Sequence, residues 1–269
     1  MNPGALKIFR IVLVFWLVGW FCNAPGFLAN FFDALKYPLE YTLFPPILRL
    51  PSIALGVYLA PLLSVLALVQ SPRALLRGTS IVLASLAFFL CLHLETCNDA
   101  TFVTSFWSAL WMVWWTWNGH REDTRFFIHA RALAHTIVGV IFLGGAIGKL
   151  TGEYRNGEAF FQLYFKDNAA FPYPWLKAHL EPRVFRGLAA WFSRCALSAE
   201  LVLALSPLLP TRFVFAGVGL TVLTMMSAWT FHLASVLSSL FGLALAAFLI
   251  ELELSKLYTK NPNELEEKL

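Results

Sequence analysis

The fold class this sequence predicts is all-α integral membrane: a polytopic bundle of about eight transmembrane helices, read from three observations. Apolar residues make up 58% of the 269 residues and charged residues only 13%, against roughly 45–50% and about 25% in ordinary soluble domains. Apolar runs of about 20 residues recur along the chain, the length at which a helix rising about 1.5 Å per residue crosses hydrocarbon. The stretch from Arg212 to Ile250 is almost uninterrupted apolar sequence, too long for one crossing. Hydrocarbon leaves exposed backbone amides unsatisfied, so each run is expected to be a helix.

In chain order the expected spans lie near 8–29, 51–70, 78–95, 101–118, 130–149, 188–209, 211–231 and 233–253. Lys7 and Arg10 precede the first run in the manner of a secretory signal. Trp20 and Phe21 before Cys22 are too bulky for a cleavage site or a lipobox-like site, so the span is expected to be retained. The last two spans require a tight reversal near Ser227–Ser239, with His232 beside it. Residues 1–254 form one transmembrane domain, and 255–269 read as a short polar cytoplasmic tail.

Two long connections, near 30–50 and 150–187, contain Pro38, Pro45, Pro46 and Pro51, and Pro172, Pro174 and Pro182, which rule out one continuous helix in either. The second is rich in aromatic side chains, from Phe160 and Tyr164 to Tyr173 and Trp175, and is expected at headgroup depth. The short loops 71–77 and 119–129 are basic. By the positive-inside rule both termini are expected in the cytoplasm, with both long connections outside, as in a bacterial inner membrane.

The net charge of +4 is spread among loops, without the basic face that nucleic-acid binding needs. The expected partners are the lipid bilayer and other membrane proteins. Cys22, Cys91, Cys97 and Cys195 form no CxxC pair and no zinc-type spacing, so no metal is expected; Cys91 and Cys97 are the only pair close in sequence, open to a bridge between a helix and its adjoining loop or to packing as small apolar residues. The chain has no P-loop, GxSxG elbow or dinucleotide glycine pattern.

Ionisable groups at membrane depth are costly, which singles out a few residues. Lys149 closes the small-residue run Gly144-Gly145-Ala146-Ile147-Gly148, which permits close helix approach. A lysine at a helix end ordinarily snorkels to the interface; a functional ammonium is the alternative. Arg194 and Glu200 share one span on different faces, so each is expected to find a partner on another helix or loop. Glu200 is the deeper of the two, and a packing clamp and a functional group fit it equally. Glu95, Asn98 and Asp99 form an acidic turn on the same side as Lys149, open to a solvated role or to an ion pair with that lysine. His93, His135 and His232 show no metal-ligand spacing; His135 and Lys149 lie about four turns apart on one span and form no local site.

Three stretches carry a family resemblance: Cys97-Asn98-Asp99-Ala100-Thr101-Phe102; Gly145-Ala146-Ile147-Gly148-Lys149-Leu150 with Tyr154, Asn156 and Gly157; and Phe231-His232 with Ser235 and Phe241-Gly242. Their order and spacing resemble the membrane part of the vitamin K-dependent gamma-carboxylases, the horizontally transferred transmembrane domain, over most of the chain. The resemblance implies that Lys149 is the base that deprotonates a quinol, with Asp99 and His232 beside it as the other candidate catalytic residues. It also implies a quinone-like or lipid molecule as cofactor, none being required by any motif. Where the family continues its asparagine-rich turn into a histidine, this chain has Asp99, a carboxylate that favours a charged Lys149. The large extramembrane domain of the carboxylases is also missing, so full glutamate carboxylation is not expected. The other readings are a non-catalytic accessory subunit of a membrane complex and a likeness to small quinone-linked DoxX-type proteins.

Overall fold

The computed structural model describes residues 3–36, 45–70, 72–92, 100–119, 124–166, 172–227 and 231–260, and within these the side chains at all positions except 30, 33–36, 49, 226–227, 231–234 and 257–260. Every regular element among them is helical. The main helices are α1 (Pro3–Cys22), α2 (Ala24–Lys36), α3 (Pro51–Val69), α4 (Arg73–Leu92), α5 (Ala100–Asn118), α6 (Thr124–Gly148), α7 (Pro182–Ala204), α8 (Thr211–Ser227) and α9 (Phe231–Lys260). Short helical pieces between α6 and α7 span Gly152–Arg155, Glu158–Phe160, Phe161–Phe165 and Tyr173–His179.

Among the described residues, six helices are long and apolar enough to cross a membrane: α1, α3, α4, α6, α7 and the Ser235–Lys256 part of α9. The chain is thus an all-helical protein with the build of an integral membrane protein. The two other expected spans are also helices of the same bundle. The apolar part of α8, Thr211–Met225, is shorter, and α5 carries buried Thr101, Thr104, Ser105 and Ser108 along with its tryptophans.

Prolines set several of the helix limits. Pro51 and Pro182 stand in the first turns of α3 and α7, where a missing N–H leaves no bond broken. Pro61 lies inside α3, and there the rod tightens into a 3-10 stretch over Ala60–Val65. The first expected span, 8–29, divides in the structure: α1 stops at Cys22, and Pro25 falls in the first turn of α2. The sixth begins earlier than expected, at Pro182, because its first turns carry Arg183 and Arg186 and so resemble a loop in composition. Helix α8 ends at Ser227 and α9 begins at Phe231, and residues 228–230, within the reversal expected near Ser227–Ser239, lie outside the described residues. Helix α9 runs through Lys260, while 261–269 lie outside the described residues.

Helix α9 is the axis of the bundle. It packs against α1, α5, α6 and α8, and 61% of its apolar window is buried, against 22% for α7 at the periphery. Small residues let the helices approach closely. A Cβ added to Gly19 would stand 2.8 Å from the Ser235 carbonyl oxygen, and one on Gly242 would stand 2.7 Å from Phe15 Cβ. Two polar contacts join these helices: Ser238 Oγ donates to the Phe15 carbonyl at 2.9 Å, and the Thr101 and Ser235 hydroxyls lie 2.9 Å apart. Trp16 and Trp20, fully buried in α1, donate to the carbonyls of Ser105 and Tyr58 at 2.7 and 2.8 Å. These two indoles thereby fill the core with their N–H groups satisfied, whereas the Nε1 of buried Trp115 has no partner among the described residues.

Candidate functional site

The site begins where α6 ends. The last turn tightens, with the Lys149 N–H reaching the Ala146 carbonyl at 3.0 Å, and Thr151 caps the next short helix by accepting from the Tyr154 N–H at 3.3 Å. Gly157 follows with φ +80°, a left-handed conformation that favours glycine, and a Cβ there would collide with the Ala190 backbone of α7. Close seating on α7 leaves the segment's carbonyls within reach. Ser193 Oγ donates to the Tyr154 carbonyl at 2.5 Å and Arg194 Nε to the Arg155 carbonyl at 3.3 Å. Phe160, Phe165 and Phe185 bury this junction in a small core of its own.

This docking carries Lys149 to Glu200 of α7. The Lys149 ammonium donates to Glu200 Oε1 in an ion pair whose side chains are 29% and 17% exposed. Glu200 Oε2 is buried and has no hydrogen-bond partner among the described residues. Gly145 lies against the carboxylate, its Cβ position 3.4 Å from Oε2. The ring of Tyr154 lies beside the pair, its centroid 5.7 Å from Lys149 Nζ. Burial first, and the Glu200 charge second, hold the phenols of Tyr154 and Tyr164 above the usual tyrosine range.

Lys149 and Glu200 line a cavity of about 430 Å³. Helix α5 contributes Trp107, α6 contributes Val140 and Gly144, and α8 and α9 contribute Met225 and Leu240. The space is therefore apolar, with a donor, an acceptor and two phenols grouped on part of its wall. Such an arrangement suits a hydrophobic molecule with a small polar head. Among the described residues no three His, Cys, Asp or Glu side chains converge as metal ligands.

Lys149, singled out in the sequence, thus stands on the cavity wall. Asp99 lies outside the described residues, as do Glu95, Asn98, Cys97 and His93. His232 is the second residue of α9, but its side chain is not among those described. The next residue after Asp99, Ala100, and a residue one turn beyond His232, Val236, both line the cavity. The described carboxylate that meets Lys149 is Glu200, where the sequence pointed to the acidic turn. Arg194 and Glu200 do find their partners on other segments. His135 lies elsewhere on α6, as its spacing from Lys149 requires. Cys22, Cys91 and Cys195 are free thiols. Trp107 had no sequence signal, because a tryptophan in an apolar span looks the same whether it faces lipid or a cavity. No family model matches this chain, and no curated protein or solved structure matches it either.

Proposed function

We propose that this chain is an eight-span membrane protein, both termini cytoplasmic, that holds a quinone-like or lipid molecule in the cavity beside Lys149. The observation that carries the reading is the apolar cavity of about 430 Å³ whose wall includes the Lys149–Glu200 ion pair. The ring or chain of the ligand occupies the apolar part, and its oxygen accepts from the ammonium. A hydroxyl on the same head donates to the Glu200 carboxylate, whose buried Oε2 has no hydrogen-bond partner among the described residues. The resemblance to the gamma-carboxylase membrane part assigns the base role to Lys149. We place the proton-accepting oxygen on Glu200 and the stabilising donor on Lys149, because a lysine already bonded to a carboxylate acts as the donor of the pair. Proton transfer would break the ligand O–H, form a Glu200 O–H and leave a ligand oxyanion against the ammonium.

Quenching of Trp107 by a short-chain benzoquinone tests this reading in detergent-solubilised protein. The expected result is saturable quenching that shrinks in Trp107→Phe and weakens in Glu200→Gln and Lys149→Met. Linear quenching that Trp107→Phe leaves unchanged would remove the quinone from this cavity. Purification with a fixed set of membrane subunits and no small molecule would favour the accessory-subunit role.

A further inference from the structure

Helices α5 and α6 form a hairpin that is closed at its joined end and open at the other. At the end of α5 and the start of α6 the seam is shut: Trp111 Nε1 donates to the Ala130 carbonyl at 3.0 Å, and the Trp115 and Phe126 rings lie 4.8 Å apart. Trp111, Trp115 and Ala130 are fully buried there. The same helix faces continue toward Lys149, with Trp107 about one turn from Trp111, and Ile141 and Gly144 about three and four turns from Ala130. These three line the apolar cavity beside Lys149, and a Cβ on Gly144 would meet nothing within 4 Å.

The opening faces outward. Thr101 of α5 meets Ser235 of the central helix α9 at 2.9 Å. Val103, two residues on, is turned about 200° from Thr101 and so away from α9. Val103 nevertheless lines the cavity, as does Val140 across the gap, and the two are 44% and 54% exposed. The cavity therefore reaches the outer surface of the bundle between α5 and α6. Val140 precedes Lys149 by about 13 Å along α6, which is hydrocarbon depth in a core about 30 Å thick. Acyl chain, not water, lies outside a mouth at that depth.

Size bears on what fits. A cavity of about 150 Å³ holds one benzene-sized ring, so about 430 Å³ takes a ring-sized head and the start of one chain, not a head with two full acyl chains. Methylenes gain little in passing from lipid to an apolar cleft, because lipid tails are as apolar as leucine. The head therefore supplies the affinity, at Lys149 and Glu200, and the tail supplies the route. We infer that the site takes a single-tailed amphiphile from the bilayer itself, its head entering sideways between α5 and α6 and its tail staying in the mouth between Val103 and Val140. The inference rests on the proposed ligand site at Lys149 and adds its entrance and its tail seat.

The test is photolabelling of the full chain in lipid vesicles by a long-chain alkylhydroquinone with a diazirine midway along its tail. Methylhydroquinone, which shares the head and lacks the tail, is the competitor. Label is expected on peptides containing 103–107 and 140–144, and is expected to fall about tenfold when the competitor stands at about ten times its own Kd. Competed label on 151–165 in place of the cleft would put the tail on the water side, so that the ligand site stands and the sideways entrance falls. Cleft label that survives the competitor while label elsewhere falls would assign the cleft to ordinary lipid chains and overturn the inference. Label that the competitor reduces nowhere on the chain would remove the ligand site at Lys149 itself, and the entrance with it.

Discussion

Lys149 and Glu200 depend on each other because each is mostly withdrawn from water. Removing one partner leaves the other charge poorly solvated, whereas removing both leaves neither stranded. Lys149→Met and Glu200→Gln are therefore each expected to destabilise the protein by about 2 kcal/mol, a figure discounted for their partial exposure, with the double variant losing clearly less than the sum. Thermal unfolding in detergent measures the cycle, and strictly additive losses would show that the pair is not coupled. The tyrosines beside them carry a pH signature. Their phenol pKa values are raised in the folded protein by burial and then by Glu200. The fold thus favours the protonated phenol, with no consequence below about pH 10 and a loss of stability as pH rises above it. Tyr154→Phe should lessen that alkaline loss in unfolding monitored by phenolate absorbance; an unchanged alkaline limb would contradict the buried placement. Both charged residues were legible in the sequence, since ions inside apolar runs stand out. Their pairing was not, because they lie 51 residues apart and nothing local to either residue names the other.

Helix ends and crossings rest on a different set of residues. Gly157 combines a left-handed φ with a Cβ position blocked by the Ala190 backbone, so Gly157→Ala should detach the 151–165 segment from α7 at a cost of about 2 kcal/mol or more. The measurable outcome is faster proteolysis at the exposed segment; unchanged cleavage would show that the turn tolerates a side chain. Gly19→Val, set against Ser235 of α9, should destabilise by about 1–3 kcal/mol. Gly144 has open space around its Cβ position, so Gly144→Phe is expected to fold normally and fill the cavity it lines. Equal thermal losses in these two variants would deny that difference in packing. The order of the long apolar helices was legible from apolar runs, and so was the start of α3 at Pro51. The early turns of α4 and α7 were hidden by Arg73, Arg77, Arg183 and Arg186, because arginine stems snorkel along an apolar surface while their heads weigh against a span in composition.

Taken whole, the molecule is a bundle built around α9, with an apolar cavity beside an ion pair and a more polar one toward the other end of α6. The pattern of apolar runs announced the bundle; the cavities were not visible in it, since empty space depends on how five helices meet rather than on any one of them. Eight crossings would place the two ends of the chain on one side of the membrane. In a cysteine-free background, Pro3→Cys and Lys256→Cys are then expected to react with an impermeant thiol reagent from the same face of oriented vesicles, and reaction from opposite faces would require an odd number of crossings. The occupancy of the cavity at Lys149 bears on function most directly. Gentle detergent extraction followed by mass spectrometry of the bound lipid-soluble molecules should find a stoichiometric quinone or lipid on the wild-type chain and its loss from Gly144→Phe. An empty wild-type protein, or a molecule retained equally by Gly144→Phe, would contradict a ligand held against Lys149 and Glu200.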